Sequence, residues 1–272
     1  MMNSYFFKDI SYGKHERNTI DIHIPYQVCS RSDTHGVLLF IHGGGWHQGD
    51  KTDYENECTR YLMRGHICAS LNYRYVSDNT TIFDELDDIA SALETVKLKC
   101  AERGYKIDKC ILTGASAGAH LALMYAYTSK NKLTVRPVAV CAYCPPVDFS
   151  NPNFLMGISG EFEEWKYNIL SKCCGVKITK ETFGNRVQQD ALLKISPISY
   201  LTPDCVPTFV FQGKKDELVP YEDACSFIQK LTELNVRNDF VVFENSGHTL
   251  DNDQYCTELS RSIIYELCDE IL

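Results

Sequence analysis

Ile111-Leu112-Thr113-Gly114-Ala115-Ser116-Ala117-Gly118-Ala119-His120-Leu121 carries the reading of this 272-residue chain. A short apolar run ending at Thr113 has strand character and the small-residue run from Ala117 has helical character, so the chain must turn sharply between them. Side chains would collide in so tight a turn, which accounts for Gly114 and Gly118 flanking Ser116 with alanines between. Ser116 is thereby driven into a sparsely populated backbone region, at a cost of about 1–3 kcal/mol. The Ala117 N–H opens the helix, where an orphan donor and the helix dipole favour negative charge. The pattern is G-x-S-x-G, in which a serine hydroxyl is lifted out of a strand-to-helix turn; a glycine-rich turn of no chemical consequence is the alternative. Gly157-Ile158-Ser159-Gly160, the nearest rival, lacks the full pattern.

Upstream, the apolar run Val37-Leu38-Leu39-Phe40-Ile41 leads into His42-Gly43-Gly44-Gly45-Trp46. Consecutive glycines let backbone N–H groups approach a carbonyl with no side chain in the way, so Gly44 and Gly45 are expected to join Ala117 as oxyanion donors. His42 and Trp46 are expected to hold the loop in place. Gly44→Val should crowd these donors and lower turnover while the fold persists.

A serine hydroxyl is a poor nucleophile at neutral pH and needs a base in reach, itself oriented by an acid. In the chain order serine, acid, histidine, each partner should follow a late strand. Phe209-Val210-Phe211-Gln212-Gly213-Lys214-Lys215-Asp216 places an acid just past an apolar run, and Val241-Val242-Phe243-Glu244-Asn245-Ser246-Gly247-His248 does the same for a histidine. The expected catalytic set is Ser116, Asp216 and His248. Glu217 is the nearest acid rival; Asp251 and Asp148 do not sit immediately after the strand that precedes the histidine loop. His120 lies four residues beyond Ser116, where packing or support of the site is its default duty, and His15, His23, His35, His47 and His66 carry no motif.

Apolar runs at 5–10, 20–24, 37–41, 67–73, 110–113, 138–143, 208–211 and 240–243 read as strands, and helical patterns fall at 54–64, 83–103, 117–129, 221–234 and 253–271. Alternation from about residue 36 onward implies βαβ crossovers and therefore an α/β fold with a mainly parallel eight-stranded sheet flanked by helices. Ligands in such sheets bind beyond the carboxyl ends of the strands, where both glycine motifs fall. One interval breaks the rhythm: 146–207 separates two strands, is too long for a plain crossover, and contains Phe149, Phe154, Phe162, Trp165 and Tyr167. It reads as a small cap insertion in a single domain spanning 1–272, its aromatics either packing the insertion down or lining a pocket.

The formal net charge of -9 comes without any basic block, so neither nucleic acid nor an anionic membrane is expected as partner. Met1-Met2-Asn3-Ser4-Tyr5-Phe6-Phe7-Lys8-Asp9 lacks the features of a secretory signal, and a cytoplasmic location is expected. Thirteen cysteines in a chain of this length and location are expected as reduced thiols, with Cys141-Ala142-Tyr143-Cys144 read as buried strand cysteines rather than a redox or zinc pair. Neither H-E-x-x-H nor a paired cysteine-histidine spacing occurs, and Gly43-Gly44-Gly45 is not a phosphate-binding signature, so metal chemistry has little support.

His42-Gly43-Gly44-Gly45-Trp46, Gly114-Ala115-Ser116-Ala117-Gly118-Ala119-His120-Leu121, Gly213-Lys214-Lys215-Asp216-Glu217-Leu218-Val219-Pro220 and Ser246-Gly247-His248 occur in the order found in the α/β-hydrolase superfamily, which the chain resembles from about residue 36 to its end. Within it the resemblance is to the esterase/lipase branch: hormone-sensitive-lipase-like proteins, bacterial carboxylesterases and BD-FAE-like proteins. The tryptophan after the glycines and the 114–121 stretch are closer to the smaller carboxylesterases, acetylxylan and feruloyl-type esterases, and kynurenine formamidases. The resemblance implies a serine carboxylesterase hydrolysing short-acyl esters, such as acetylated sugars or aryl esters, through an acyl-enzyme formed on Ser116. It implies His248 as base, Asp216 as acid, Gly44, Gly45 and Ala117 as oxyanion hole, and no need for a metal or organic cofactor. The same machinery acting on an amide, as in a formamidase or a peptidase, is the alternative, followed by a non-catalytic ligand-binding protein. A small-molecule ester is the expected partner, with a homodimer left open.

Overall fold

The computed structural model describes residues 4–28, 34–128, 134–155 and 160–272. Eight strands form one sheet: β1 (Ser4–Ser11), β2 (Thr19–Pro25), β3 (His35–Ile41), β4 (Ile67–Leu71), β5 (Ile107–Ala115), β6 (Arg136–Tyr143), β7 (Thr208–Gly213) and β8 (Asn238–Phe243). Their spatial order is β1-β2-β4-β3-β5-β6-β7-β8. Strand β2 runs antiparallel to both β1 and β4, and every pair from β4 onward is parallel. The sheet is thus the mainly parallel, eight-stranded one expected of an α/β fold.

Parallel pairing explains the unbroken apolar runs, because a strand covered on both faces has no solvent side to make polar. In β3, Val37, Leu39 and Ile41 point into one core with residues of helices α2 (Ile82–Ala101), α3 (Ala117–Thr128) and α6 (Tyr221–Glu233). Leu38 and Phe40 point into a second core with helices α1 (Glu55–Leu62) and α7 (Gln254–Ile271). All five side chains are buried, and α3, central on its face, is buried from Ala117 to Tyr127. The last position of the 117–129 helical pattern lies outside the described residues.

Between β6 and β7 the chain forms two further helices, α4 (Glu161–Cys174) and α5 (Arg186–Lys194), with short 3-10 turns at Pro152–Leu155 and Pro197–Tyr200. Helix α4 opens on the acidic residues Glu161, Glu163 and Glu164, which favour a helix start, and stops at Gly175 in the left-handed conformation, φ 69°. Phe149, by contrast, is core: fully buried, it packs edge-on against Trp46, His120 and Phe154. Because β3, β5, β7 and β8 are parallel, the loops after Ile41, Ala115, Gly213 and Phe243 all leave the same edge of the sheet.

Candidate active site

Ser116 follows β5 directly and has φ 54°, the left-handed region that serine rarely occupies. Backbone bonds fix it there, its N–H donating to the Tyr143 carbonyl at 2.8 Å and its carbonyl accepting from the His120 N–H at 3.0 Å. Gly118 is required by close approach, since a Cβ there would collide with the Ile41 and His42 carbonyls. That contact seats the start of α3 against the end of β3 and so brings Ser116 beside the glycine loop.

The loop turns through positive φ at Gly44 (108°), Gly45 (57°) and Trp46 (62°). Among the described residues the N–H groups of Gly44 and Gly45 donate to no acceptor, while the Gly44 carbonyl receives the amides of His47 and Gln48. Ala117 is the first residue of α3, so its N–H has no intrahelical partner either. At Gly44 a Cβ would collide with the Gln48 carbonyl, so the expectation that Gly44→Val crowds only the donors is corrected: it would distort the loop itself. Gly45 is the gentler probe, its Cβ meeting only side chains, the nearest being the Trp165 ring at 3.2 Å.

Two buried histidines brace this loop. His42 stacks on Tyr73 at 4.2 Å, its Nδ1 lies 2.7 Å from the Gly43 carbonyl, and its Nε2 faces the Arg17 guanidinium at 3.2 Å. Since arginine can only donate, Nε2 accepts and Nδ1–H donates to Gly43. Arg17 also donates to the Tyr73 and Gly49 carbonyls and lies over the Tyr75 ring. The Trp46 indole N–H donates to His120 Nδ1 at 3.0 Å, which leaves Nε2–H to donate to the Ile195 carbonyl at 2.7 Å. Burial pushes both imidazoles down from 6.5 to about 4.

That burial has a consequence for stability. The unfolded chain takes up these protons near 6.5 and the folded chain only near 4, so folding stability present above the first value is lost as pH falls through the window. By pH 5 the loss is about 2 kcal/mol per histidine. Thermal unfolding at pH 7 and pH 5 checks this: the melting temperature should fall by several degrees, and an unchanged value would contradict two buried neutral rings.

The acid and histidine loops meet each other. His248 Nδ1 lies 2.7 Å from Asp216 Oδ2, with the Asp216 side chain fully buried. Gln212 Nε2 donates to the same oxygen at 3.0 Å, and the Leu218 and Val219 amides donate to Oδ1 at 2.9 Å each. Burial alone would raise the Asp216 pKa, but the hydrogen bond and charge of His248 and the Val219 and Leu218 amides outweigh it and hold the carboxyl below its ordinary value. Gly213 has no room for a Cβ against the Gly247 carbonyl, so the two loops lie in direct contact. Ser246 anchors the histidine loop to the start of α7, its Oγ 2.6 Å from Asp253.

Ser116, His248, Gly44 and Gly45 line one cavity of about 530 Å³. Phe162 and Trp165 of α4, stacked at 5.5 Å and both partly exposed, form part of its wall, and Tyr54, Leu250 and Ile264 line it too. Lys166 is buried there with its ammonium bonded to the Phe154 and Leu218 carbonyls, a bolt between α4 and the acid loop; burial pushes its pKa down to about 8. Among the acid rivals, Glu217 is exposed beside Asp216 and Asp148 caps its own turn at Ser150 and Asn151. Asp251 is likewise exposed, and the rival serine motif at 157–160 has its serine outside the described residues.

Residues missed from sequence are Arg17, Gln212 and Lys166, together with Cys144. The strand reading holds for Cys141 on β6, but Cys144 lies one residue past the strand, with φ 46°. Its thiol, the Asp216 carboxylate and the His248 imidazole have ligand atoms within 4.8 Å of one another, the one such group of possible metal ligands among the described residues.

A family model described as BD-FAE matches residues 20–231. The chain is 28% identical over 237 residues to a probable carboxylic ester hydrolase, LipM, of Mycobacterium tuberculosis, covering 84% of this chain and 52% of that protein. It is 24% identical over 282 residues to a probable isoprenylcysteine alpha-carbonyl methylesterase, ICMEL1, of Arabidopsis thaliana, covering 98% and 56%. The chain thus spans about half the length of these relatives. Among solved structures, the thermophilic esterase Est2 of Thermogutta terrifontis superposes with a TM-score of 0.70 at 21% identity, over 98% of this chain and 92% of that one. At that identity the likeness establishes the fold.

Proposed function

The chain belongs to the BD-FAE family of α/β-hydrolase esterases, and from that premise we propose that it is a serine carboxylesterase acting on short-acyl esters, acetylated sugars and aryl esters among them. The observation that carries the proposal is the 2.7 Å His248–Asp216 bond on the same cavity as Ser116 and the Gly44 and Gly45 amides, which meet no acceptor among the described residues. Asp216 holds the Nδ1–H tautomer, leaving Nε2 to take the Ser116 proton as Oγ attacks the ester carbonyl. The developing oxyanion is received by the N–H groups of Gly44, Gly45 and Ala117, which need no reorganisation because no acceptor among the described residues competes for them. His248 then protonates the departing alcohol, and water repeats the sequence to release the acid.

In this reading 146–207 serves as a cap, with Phe162 and Trp165 bounding a pocket suited to a small acyl or aryl group. The twelve described cysteines are all unpaired, which supports a reducing compartment such as the cytoplasm. Ester rather than amide hydrolysis is favoured by the descriptions of the relatives. A panel of p-nitrophenyl esters from acetate to palmitate, run beside N-formylkynurenine and aminoacyl anilides, tests it. Turnover should be highest on the short esters; faster turnover of an amide overturns the ester assignment. Gly45→Ala should lower kcat by about tenfold or more, through its contact with Trp165 and the strain of a side chain at φ 57°, while the protein stays folded. Full activity in that folded variant would remove the loop from the mechanism.

A further inference from the structure

The Cys144 thiol has no part in the ester chemistry, yet it is the one thiol among twelve described cysteines set against both the acid and the histidine. Its position is fixed by backbone. Its N–H donates to the Phe211 carbonyl at 2.8 Å, φ is 46°, and the thiol reaches toward the His248 carbonyl at 3.5 Å. The residue is 1% exposed, Asp216 is buried behind it, and His248 opens onto the cavity. A soft sulfur, an imidazole nitrogen and a carboxylate oxygen are the donor types zinc selects, and magnesium does not.

We propose that Cys144, Asp216 and His248 form an inhibitory site for Zn²⁺ or a similarly thiophilic divalent cation. Tetrahedral zinc would place the three donor atoms about 3.3–3.5 Å apart. The observed separations, 2.7 Å between imidazole and carboxylate and no more than 4.8 Å for any pair, bracket that spacing. Small side-chain adjustments therefore convert the hydrogen-bonded pair into a metal site, with water from the cavity as fourth ligand. Two negative ligands, thiolate and carboxylate, match the charge of the ion.

The proton balance gives the inhibition. Zinc binds Cys144 as thiolate, releasing one proton to solvent. At His248 it takes Nδ1, and the proton carried there moves through solvent to Nε2. An Nε2–H imidazole cannot accept the Ser116 proton, so the occupied enzyme is in the wrong tautomer for attack. The loss of activity rests on the function proposed above; binding of the metal does not.

The test compares wild type with Cys144→Ala and Cys144→Ser, each shown folded by circular dichroism. Rates on p-nitrophenyl butyrate are measured in a non-chelating buffer against ZnCl₂ and MgCl₂, relative to each variant's own metal-free rate. Wild type should be half-inhibited at micromolar Zn²⁺, recover on adding EDTA, and ignore the same concentration of Mg²⁺. Both variants should need at least about ten times more zinc. A second readout is Co²⁺ titration, in which wild type should develop sulfur-to-cobalt charge-transfer absorption that both variants lack. Equal zinc sensitivity in all three proteins, or identical cobalt spectra, overturns the proposal. The cobalt signal also separates the two readings, because it persists even if no ester is turned over.

Discussion

Ser116→Ala is expected to lower kcat on p-nitrophenyl butyrate by about 10⁶-fold while leaving the protein folded. The fold should survive because what the elbow demands is backbone geometry. The φ of 54° and the bonds from Ser116 N–H to Tyr143 and from His120 to the Ser116 carbonyl are main-chain features that alanine retains. Only Oγ is lost, and with it the atom that would form the acyl-enzyme in the proposed mechanism. Rate acceleration left in the variant would come from the oxyanion donors and from binding, about 10³–10⁴ over water. The variant should also lose labelling by a fluorophosphonate probe. Turnover within about a hundredfold of wild type, with the melting temperature unchanged, would mean that the chemistry runs through another nucleophile.

The parts of the molecule legible in the sequence are those under local constraint. Strands buried on both faces must be continuous apolar runs, so β3, β5 and β7 announce themselves, and the loops following them carry Gly44, Ser116 and Asp216. Helices α4 and α5 escaped because α4 faces a cavity rather than a core. Phe162 and Trp165 stay partly exposed while Lys166 is buried, which blurs the apolar stripe that betrays an ordinary surface helix. Arg17 was hidden for a different reason: it lies before β2 and reaches His42 only through tertiary folding, with no motif to mark it. Gln212 left a usable trace. A polar residue inside Phe209-Val210-Phe211-Gln212-Gly213 is buried, and a buried amide needs partners, here Asp216 and the Val219 carbonyl. Cys144 is misplaced when C-x-x-C spacing groups it with Cys141, because the apolar run already ends β6 at Tyr143.

Asp216→Asn is expected to lower kcat by about 10⁴-fold, and the hydrogen bonds around the carboxylate say why. Asp216 accepts on every side: Oδ1 from the Leu218 and Val219 amides, Oδ2 from Gln212 and His248. An asparagine can keep its oxygen only where two fixed backbone N–H groups point, because those donors cannot turn away. Its NH₂ then faces Gln212 Nε2 and His248 Nδ1, donor against donor. The imidazole can relieve its half of the conflict by accepting at Nδ1 and moving its proton to Nε2, the tautomer that cannot receive a proton from Ser116. Gln212 can relieve the other half by flipping its amide, giving up the bond to the Val219 carbonyl. Folding should therefore weaken by only about 1–3 kcal/mol, the cost of one unsatisfied buried polar group, while catalysis falls far more. Glu217→Gln, made beside it, should leave the rate within about twofold, since the exposed Glu217 touches none of these donors. If instead the Glu217 variant lost activity and the Asp216 variant kept it, the acid would have to be reassigned. Gln212→Leu adds a discriminating arm. It removes one donor from Asp216 without changing the tautomer at His248, so kcat should drop far less than in Asp216→Asn, and a loss as large would show that the carboxylate acts through its charge balance rather than through the orientation of His248.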